Sequence, residues 1–208
     1  MSTPNFFRDV IYATAKAPWD IGKAQPALAR AAQALTGHVF DVGCGLGDNA
    51  RWVATLPAVT RVTAVDLAPL AISEAIARGV GAAAPISFSV QDVFEPGAIA
   101  PPATFDAILD SAVFHCIGDD AAQRRYLAAV TPLVRVGGRA VLCVFSNEND
   151  AATWRGPRCI APAHARELWE EAGWFVDTLE TDVRYLDVGG RCGGLGGHAL
   201  LMTATRQQ

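Results

Sequence analysis

Three glycines at alternate positions, Gly43, Gly45 and Gly47, follow an apolar run that begins at Val39 and carries a single carboxylate, Asp41. Glycines spaced this way let a backbone turn sharply and approach a ligand with no Cβ in the way. The next apolar run ends in Val65-Asp66, which places Asp66 19 residues past Gly47. At that distance a carboxylate can accept both hydroxyls of a ribose. Loop and acid together point to a nucleoside cofactor. The order of the glycines narrows the choice. A dinucleotide rests its pyrophosphate on a helix N-terminus behind a GxGxxG/A loop, whereas here the pattern is GxGxG followed by Asp48. A carboxylate at that point repels a pyrophosphate and tolerates a cofactor without one. Cys44, inside the loop, reads as a small buried residue rather than a nucleophile. Taken alone, the same turn is also what a tight strand-to-helix connection requires.

A second group of reactive residue types is Asp110-Ser111-Ala112-Val113-Phe114-His115-Cys116. It follows an apolar run read as the fourth strand, and ligands of open α/β sheets bind beyond the carboxyl ends of strands. His115, with an ordinary pKa near neutrality, is the candidate to accept a proton there; a packed histidine bonded to backbone is the other reading. Two long loops, 146–162 and the glycine-rich 187–197, supply Trp154, Arg158 and Arg191 as candidates for an aromatic wall and anion contacts on the substrate side. Solvated arginines on loops are the alternative. Cys159 and Cys192 lie on the same loops, but no close cysteine spacing supports a metal or metalloid site.

These groups need a scaffold, and the chain describes one. Short β-branched or apolar runs alternate with alanine-rich stretches, the pattern of a mostly parallel sheet with helices on both faces. Helices are expected at 26–35, 48–56, 69–78, 119–134 (stopped by Gly137-Gly138) and 163–172. Strands are expected at 38–42, 61–65, 86–90, 105–109, 139–145, 174–181 and 198–205. The result is an α/β, Rossmann-like seven-stranded sheet with its last strand antiparallel. One domain is expected over 1–208, with an N-terminal segment at 1–36, a cofactor-binding core at 38–145 and a substrate-side part at 146–208.

Bulk properties exclude some functions. Half of the 208 residues are hydrophobic and 18% charged, so the chain folds rather than staying disordered. A formal charge of −4, with no basic run longer than Arg124-Arg125, offers nothing to a nucleic acid or an anionic membrane. The first twenty residues lack the apolar core of a signal peptide, and no apolar run approaches a membrane span. Five scattered cysteines fit reduced thiols in a cytoplasmic protein.

The segments DVGCGLG (41–47), AVDLAP (64–69) and Gln91-Asp92-Val93 resemble, in order, the successive motifs of class I S-adenosylmethionine-dependent methyltransferases, over roughly residues 38–145. The segment Pro18-Trp19-Asp20-Ile21-Gly22-Lys23-Ala24-Gln25-Pro26 resembles the PWDxGxxxP stretch of small-molecule methyltransferases of the thiol and halide type, with thiopurine methyltransferases more distant. It is similar too to mycobacterial enzymes acting on small phenolic or heterocyclic compounds. The resemblance implies S-adenosylmethionine as cofactor and a lid over it formed by residues 1–36. Asp41, Gly43 and Gly45 would then meet its amino-acid end, Asp66 with Leu67 its ribose, and Asp92 and the Val93 backbone its adenine. Asp110 or Ser111 would hold the methionine end. Trp19 either faces the sulfonium, which an indole attracts, or anchors the lid; Asp20 either caps a turn or reaches the cofactor; Gln25 either bonds the cofactor or begins a helix. No metal is implied. The expected acceptor is an O, S or N atom of a small, largely apolar molecule, and the expected protein a monomer or homodimer. A non-catalytic cofactor-binding or regulatory protein is the rival from another class, and a nicotinamide-dependent oxidoreductase, which needs the absent GxGxxG/A loop, a weaker one.

Overall fold

A computed structural model describes residues 11–12, 17–79, 83–95, 99–152, 154, 156–188 and 196–208. Its strands are β1 (Gly37–Val42), β2 (Val59–Asp66), β3 (Ile86–Val90), β4 (Phe105–Ser111), β5 (Val134–Phe145), β6 (Trp174–Tyr185) and β7 (Gly197–Arg206). Its helices of more than one turn are α1 (Pro26–Ala31), α2 (Asp48–Val53), α3 (Pro69–Ala77), α4 (Asp120–Val130) and α5 (Pro162–Glu171). The strand order is β3-β2-β1-β4-β5-β7-β6. Strands β1 to β5 pair parallel, and β7 runs antiparallel between β5 and β6. The last strand is thus antiparallel as expected, and it is inserted within the sheet rather than laid at its edge.

Side-chain alternation along each strand feeds two cores, one on each face. On one face Phe40, Val42, Ile108, Leu142 and Val144 pack with Tyr126 and Leu127 of α4 and Leu168 and Trp169 of α5. On the other, Val39, Val62, Ala64, Leu109 and Val141 pack with Leu28 of α1, Ala50 and Val53 of α2 and Ile72 of α3. Each fully buried Leu, Ile or Phe contributes roughly 1.5–3 kcal/mol relative to exposure, so both faces must stay covered.

Two element boundaries differ from expectation for a visible reason. The helix expected to run to 134 ends at Val130, because Pro132 cannot continue it, and Thr131–Leu133 form a short 3-10 turn. Gly137 and Gly138 do not stop a helix; they lie inside β5, where the register against β4 slips between Phe105–Val134 and Ala107–Arg139. A Cβ on Gly138 would stand 2.8 Å from the backbone oxygen of Asp106, so glycine is required at that crossing. Strand β6 continues to Tyr185, past the expected end at 181.

Successive strands step outward in one direction from β1 through β2 to β3 and in the other from β4 onward. The crevice outside the carboxyl ends of β1 and β4 is therefore where such a sheet binds ligands. Gly43, Asp66, Gln91 and Ala112, the first residues at or past the ends of β1 to β4, surround it.

Candidate functional site

Beyond Val42 the chain reverses over the glycine loop. The Cys44 N–H donates to the Val65 carbonyl at 2.9 Å and the Gly47 N–H to the Cys44 carbonyl at 2.9 Å. Gly43 has φ +62°, and a Cβ there would stand 2.2 Å from Cγ2 of Val113. The third glycine ends the turn in the left-handed region as α2 begins. Asp66, at the end of β2, reaches across: its Oδ2 accepts the Gly45 N–H and its Oδ1 the Ala68 N–H, both at 2.8 Å. Each carboxylate oxygen thereby keeps a lone pair for another donor. At the end of β3, Oδ1 of Asp92 accepts the Phe94 N–H at 2.9 Å, which orients the group and leaves the second oxygen available.

These residues line one side of a cavity of about 330 Å³, together with Trp19, Leu67 and Val93. The far side is aromatic. The rings of Phe145 and Trp154 meet edge to face at 4.6 Å, and Phe145 meets Tyr185 the same way at 5.4 Å. Trp154 is fixed by its Nε1–H, which donates to the Pro157 carbonyl at 2.6 Å. Ser111 Oγ and the Tyr185 hydroxyl share a hydrogen bond of 3.0 Å. His115, 2% exposed, borders the cavity and accepts the Phe145 N–H on Nδ1 at 3.1 Å. Burial lowers its pKa to about 3. A nitrogen that accepts an amide proton is the bare one, so His115 is set up to donate through Nε2 rather than to accept, which revises the expectation of a proton acceptor.

Two other candidates, Asp110 and Arg158, stand elsewhere than expected. Asp110 does not reach the cavity wall. It is wholly buried, its Oδ1 accepts the Val113 and Phe114 N–H groups at 2.9 and 3.2 Å, and its Oδ2 accepts the Tyr126 hydroxyl at 2.7 Å. It therefore braces the turn that carries His115, and burial pushes its pKa up to about 6. Asp41 lies beneath the loop, 1% exposed, with neither oxygen hydrogen-bonded among the described residues. Burial, then the neighbouring Asp66 and Asp110, raise its pKa well above the carboxylate range. Arg158 is turned away into an ion pair with Asp120 at 2.6 Å and a bond to Gln123 at 3.3 Å. Arg191 and Cys192 lie outside the described residues.

The structure adds residues that sequence reasoning did not single out. Tyr12, edge-on to Trp19 with ring centroids 6.4 Å apart, borders the cavity, as do Phe145 and Tyr185. The position of Tyr185 follows from the true length of β6; no spacing signal marks Tyr12. Asp20 and Gln25 line the cavity and also hold protein partners. Asp20, 4% exposed, forms an ion pair with Arg78 at 3.0 Å and accepts the Gly22 N–H, while Gln25 bonds the backbone at Leu186.

The orphaned carboxylate of Asp41 tests what the loop accepts. A pyrophosphate above it would be repelled, whereas an ammonium group, such as S-adenosylmethionine carries at its amino-acid end, would restore its charge. The free oxygen of Asp92 and the spare lone pairs of Asp66 match an adenine amino group and a ribose diol. The residues present therefore fit that cofactor.

Comparison with known proteins agrees. Residues 39–138 match the family model of a methyltransferase domain. The chain is 25% identical over 170 residues to the 2-heptyl-1-hydroxyquinolin-4(1H)-one methyltransferase of Mycobacteroides abscessus, spanning 79% of this chain and 71% of that protein. It superposes with a TM-score of 0.77 and 28% identity on a structure solved for the conversion of a disulfide bond into a thioacetal group during echinomycin biosynthesis, over 98% of this chain and 90% of that one. The Burkholderia thailandensis 1,6-didemethyltoxoflavin-N1-methyltransferase, solved with 1,6-didemethyltoxoflavin and S-adenosylhomocysteine bound, gives a TM-score of 0.66 at 25% identity over 91% of this chain and 82% of that one. Among the described residues no helix is long and apolar enough to cross a membrane. The match to a methyltransferase domain and the likeness to these enzymes assign the chain as a class I S-adenosylmethionine-dependent methyltransferase.

Proposed function

We propose that this chain methylates an oxygen, sulfur or nitrogen atom of a small, largely apolar molecule by in-line displacement. One observation carries the reading: a single cavity joins the glycine loop, Asp66 and Asp92 on one side to the aromatic wall of Phe145, Trp154 and Tyr185 on the other. Asp66 holds the ribose, with Leu67 beside it. Asp92 and the Val93 backbone hold the adenine. Gly43 and Gly45 bring backbone close to the amino-acid end above Asp41. Trp19 offers an indole face to a cationic centre. When bound, the cofactor supplies a methyl carbon already activated by a sulfonium. The chain's own task is then to orient: Ser111 holds the methionine end, Tyr185 and the aromatic wall place the acceptor, and orientation of this kind is worth up to roughly 7–11 kcal/mol.

The methyltransferases of quinolinone and toxoflavin type to which the chain is similar act on small heterocycles, which supports a small acceptor. The charge of −4 supports a molecule rather than a nucleic acid. Residues 1–36 serve as a lid on the core at 38–145, residues 146–208 form the substrate side, and the protein works in the cytoplasm as a monomer or homodimer. The test is isothermal titration with S-adenosylhomocysteine against NADH, followed by product analysis over phenols, thiols and aromatic nitrogen heterocycles. Micromolar binding of the first ligand alone and one methylated product are expected. Binding without any product would favour the non-catalytic reading.

A further inference from the structure

The two ends of the cavity differ in what they can do with a proton. Of the carboxylates that line the cavity, Asp66 and Asp92 stand at the cofactor end, and Asp20, Asp48 and Asp187 line it as well. Beside the aromatic wall stand His115, Cys116 and Tyr185, and His115 and Cys116 are arranged as donors. The Phe145 N–H is part of β5 and can only donate. Its bond to Nδ1 of His115, at 3.1 Å, forces the ring proton onto Nε2. The Phe145 ring, 4.8 Å from the imidazole, fixes the ring from the same residue. Nε2 has no protein partner among the described residues, yet it is not sealed from the cavity that His115 borders. Taking a proton on Nδ1 instead would orphan a buried backbone N–H.

The neighbours behave alike. The Cys116 thiol donates to the Ala112 carbonyl at 3.2 Å, and burial pushes its pKa up to about 12. The Tyr185 hydroxyl is bonded to Ser111, and burial raises its pKa as well. No charged side chain is coupled to His115; burial alone keeps it neutral.

Resting on the methyltransferase reading above, we infer that the acceptor subsite takes a flat ring bearing an oxyanion or thiolate, with the charged atom held by the Nε2–H of His115. The acceptor then ionises by itself rather than by losing a proton to the protein. An acceptor arriving as its anion uses a lone pair to form the bond to the methyl carbon, the pair of the broken carbon–sulfur bond stays on sulfur, and no proton remains to be removed. A hydrogen bond from a neutral donor to an anion in a partly desolvated site is among the stronger kinds, and it leaves no buried cation behind when the neutral product departs.

The test reads ionisation directly. The protein saturated with S-adenosylhomocysteine is mixed with 4-nitrophenol, and separately with 4-nitrothiophenol, across pH, and the anion's absorbance band is followed. The expected result is that bound ligand ionises at a pH about one unit lower than free ligand, a tenfold preference for the anion. In His115→Phe that preference is lost while S-adenosylhomocysteine still binds; His115→Gln, which keeps a neutral donor, retains most of it. Anion capture by only one of the two ligands decides between oxygen and sulfur. Ligand bound in its neutral form, or anion preference unchanged in His115→Phe, overturns the inference. So does a kcat/KM acid limb that stays fixed across phenols of different pKa, because a base on the protein, with Asp187 at the cavity's border the first to examine, would then set it. Methyl transfer plays no part in the absorbance readout, so anion capture without turnover counts against the proposed activity and not against the subsite.

Discussion

The side-chain amide of Gln25 pairs with both backbone groups of Leu186, its Nε2–H donating to the carbonyl and its Oε1 accepting the N–H, each at 2.9 Å. The two residues are 161 positions apart, and the pairing imitates one rung of a β-ladder. A second tie lies beside it, the Val188 N–H donating to the Pro18 carbonyl at 2.8 Å. The Asp20–Arg78 ion pair fastens the same segment to the end of α3. The N-terminal segment and the chain leaving β6 therefore roof the cavity as one unit.

Gln25→Leu replaces the amide with an apolar side chain one atom shorter and deletes both bonds. Gln25 is 3% exposed, so the Leu186 N–H and carbonyl lose buried partners, at a cost of about 1–3 kcal/mol. The expected outcome is a lower melting temperature and a severalfold weaker affinity for S-adenosylhomocysteine, measured by thermal denaturation and isothermal titration. Unchanged affinity with lowered stability would show that the roof does not bear on the cofactor.

Asp66→Asn separates charge from shape. The isostere can still accept one backbone N–H through its oxygen, but its amide nitrogen cannot accept a ribose hydroxyl. Affinity for S-adenosylhomocysteine is expected to fall at least about tenfold, or 1.4 kcal/mol, while the fold is retained by circular dichroism. Equal affinity in the two proteins would remove Asp66 from the ribose site.

Much of this was legible before any coordinates. The runs at 61–65 and the alternating 86–90 read as strands, and the glycine loop with Asp66 and Asp92 sits at strand ends because a parallel sheet puts its ligands there. What the chain does not declare is which way a side chain at a strand end turns. Asp110 and Ser111 are consecutive, so only one of them can face the crevice. Ser111 does, because Tyr126 on α4 and two turn N–H groups claim Asp110 on the other face. Arg158 was equally open: its pairing depends on Asp120 and Gln123, 38 and 35 positions earlier. The loss of Asp110 and Arg158 from the cavity and the gain of Tyr12 and Tyr185 are both consequences of tertiary neighbours that no local pattern encodes.

Two glycines with positive φ make a controlled comparison. Gly79, φ +80°, has open space where a Cβ would go, so Gly79→Ala meets only the backbone penalty of a left-handed residue, roughly 1–2 kcal/mol. Gly43→Ala meets that penalty and also the 2.2 Å approach to Val113. Relief must come from the glycine loop or from the turn carrying Val113 and His115. Gly43→Ala is therefore expected to unfold at lower denaturant than Gly79→Ala and to lose cofactor affinity, which Gly79→Ala keeps. Equal midpoints in urea would mean that the Val113 side chain simply rotates away.

The buried carboxylate of Asp41 predicts that cofactor binding is linked to protons. Burial, Asp66 and Asp110 raise its pKa, so between the ordinary carboxylate range and that raised value the free protein holds a proton that an exposed aspartate would have lost. An ammonium group brought to the loop favours the charged form and expels that proton. Affinity for S-adenosylhomocysteine should therefore rise with pH through this window, by up to about tenfold per unit for one proton released, and level off above it. Asp66, also raised, and Asp110, near 6, titrate in the same direction or range, so the assignment rests on the variant Asp41→Asn, whose affinity should vary less with pH. Calorimetry in buffers of different ionisation enthalpy counts the proton directly: close to one released in the native protein and fewer in Asp41→Asn. An identical count in both would place the proton on Asp66 or Asp110 and leave Asp41 a buried acid that the cofactor does not sense.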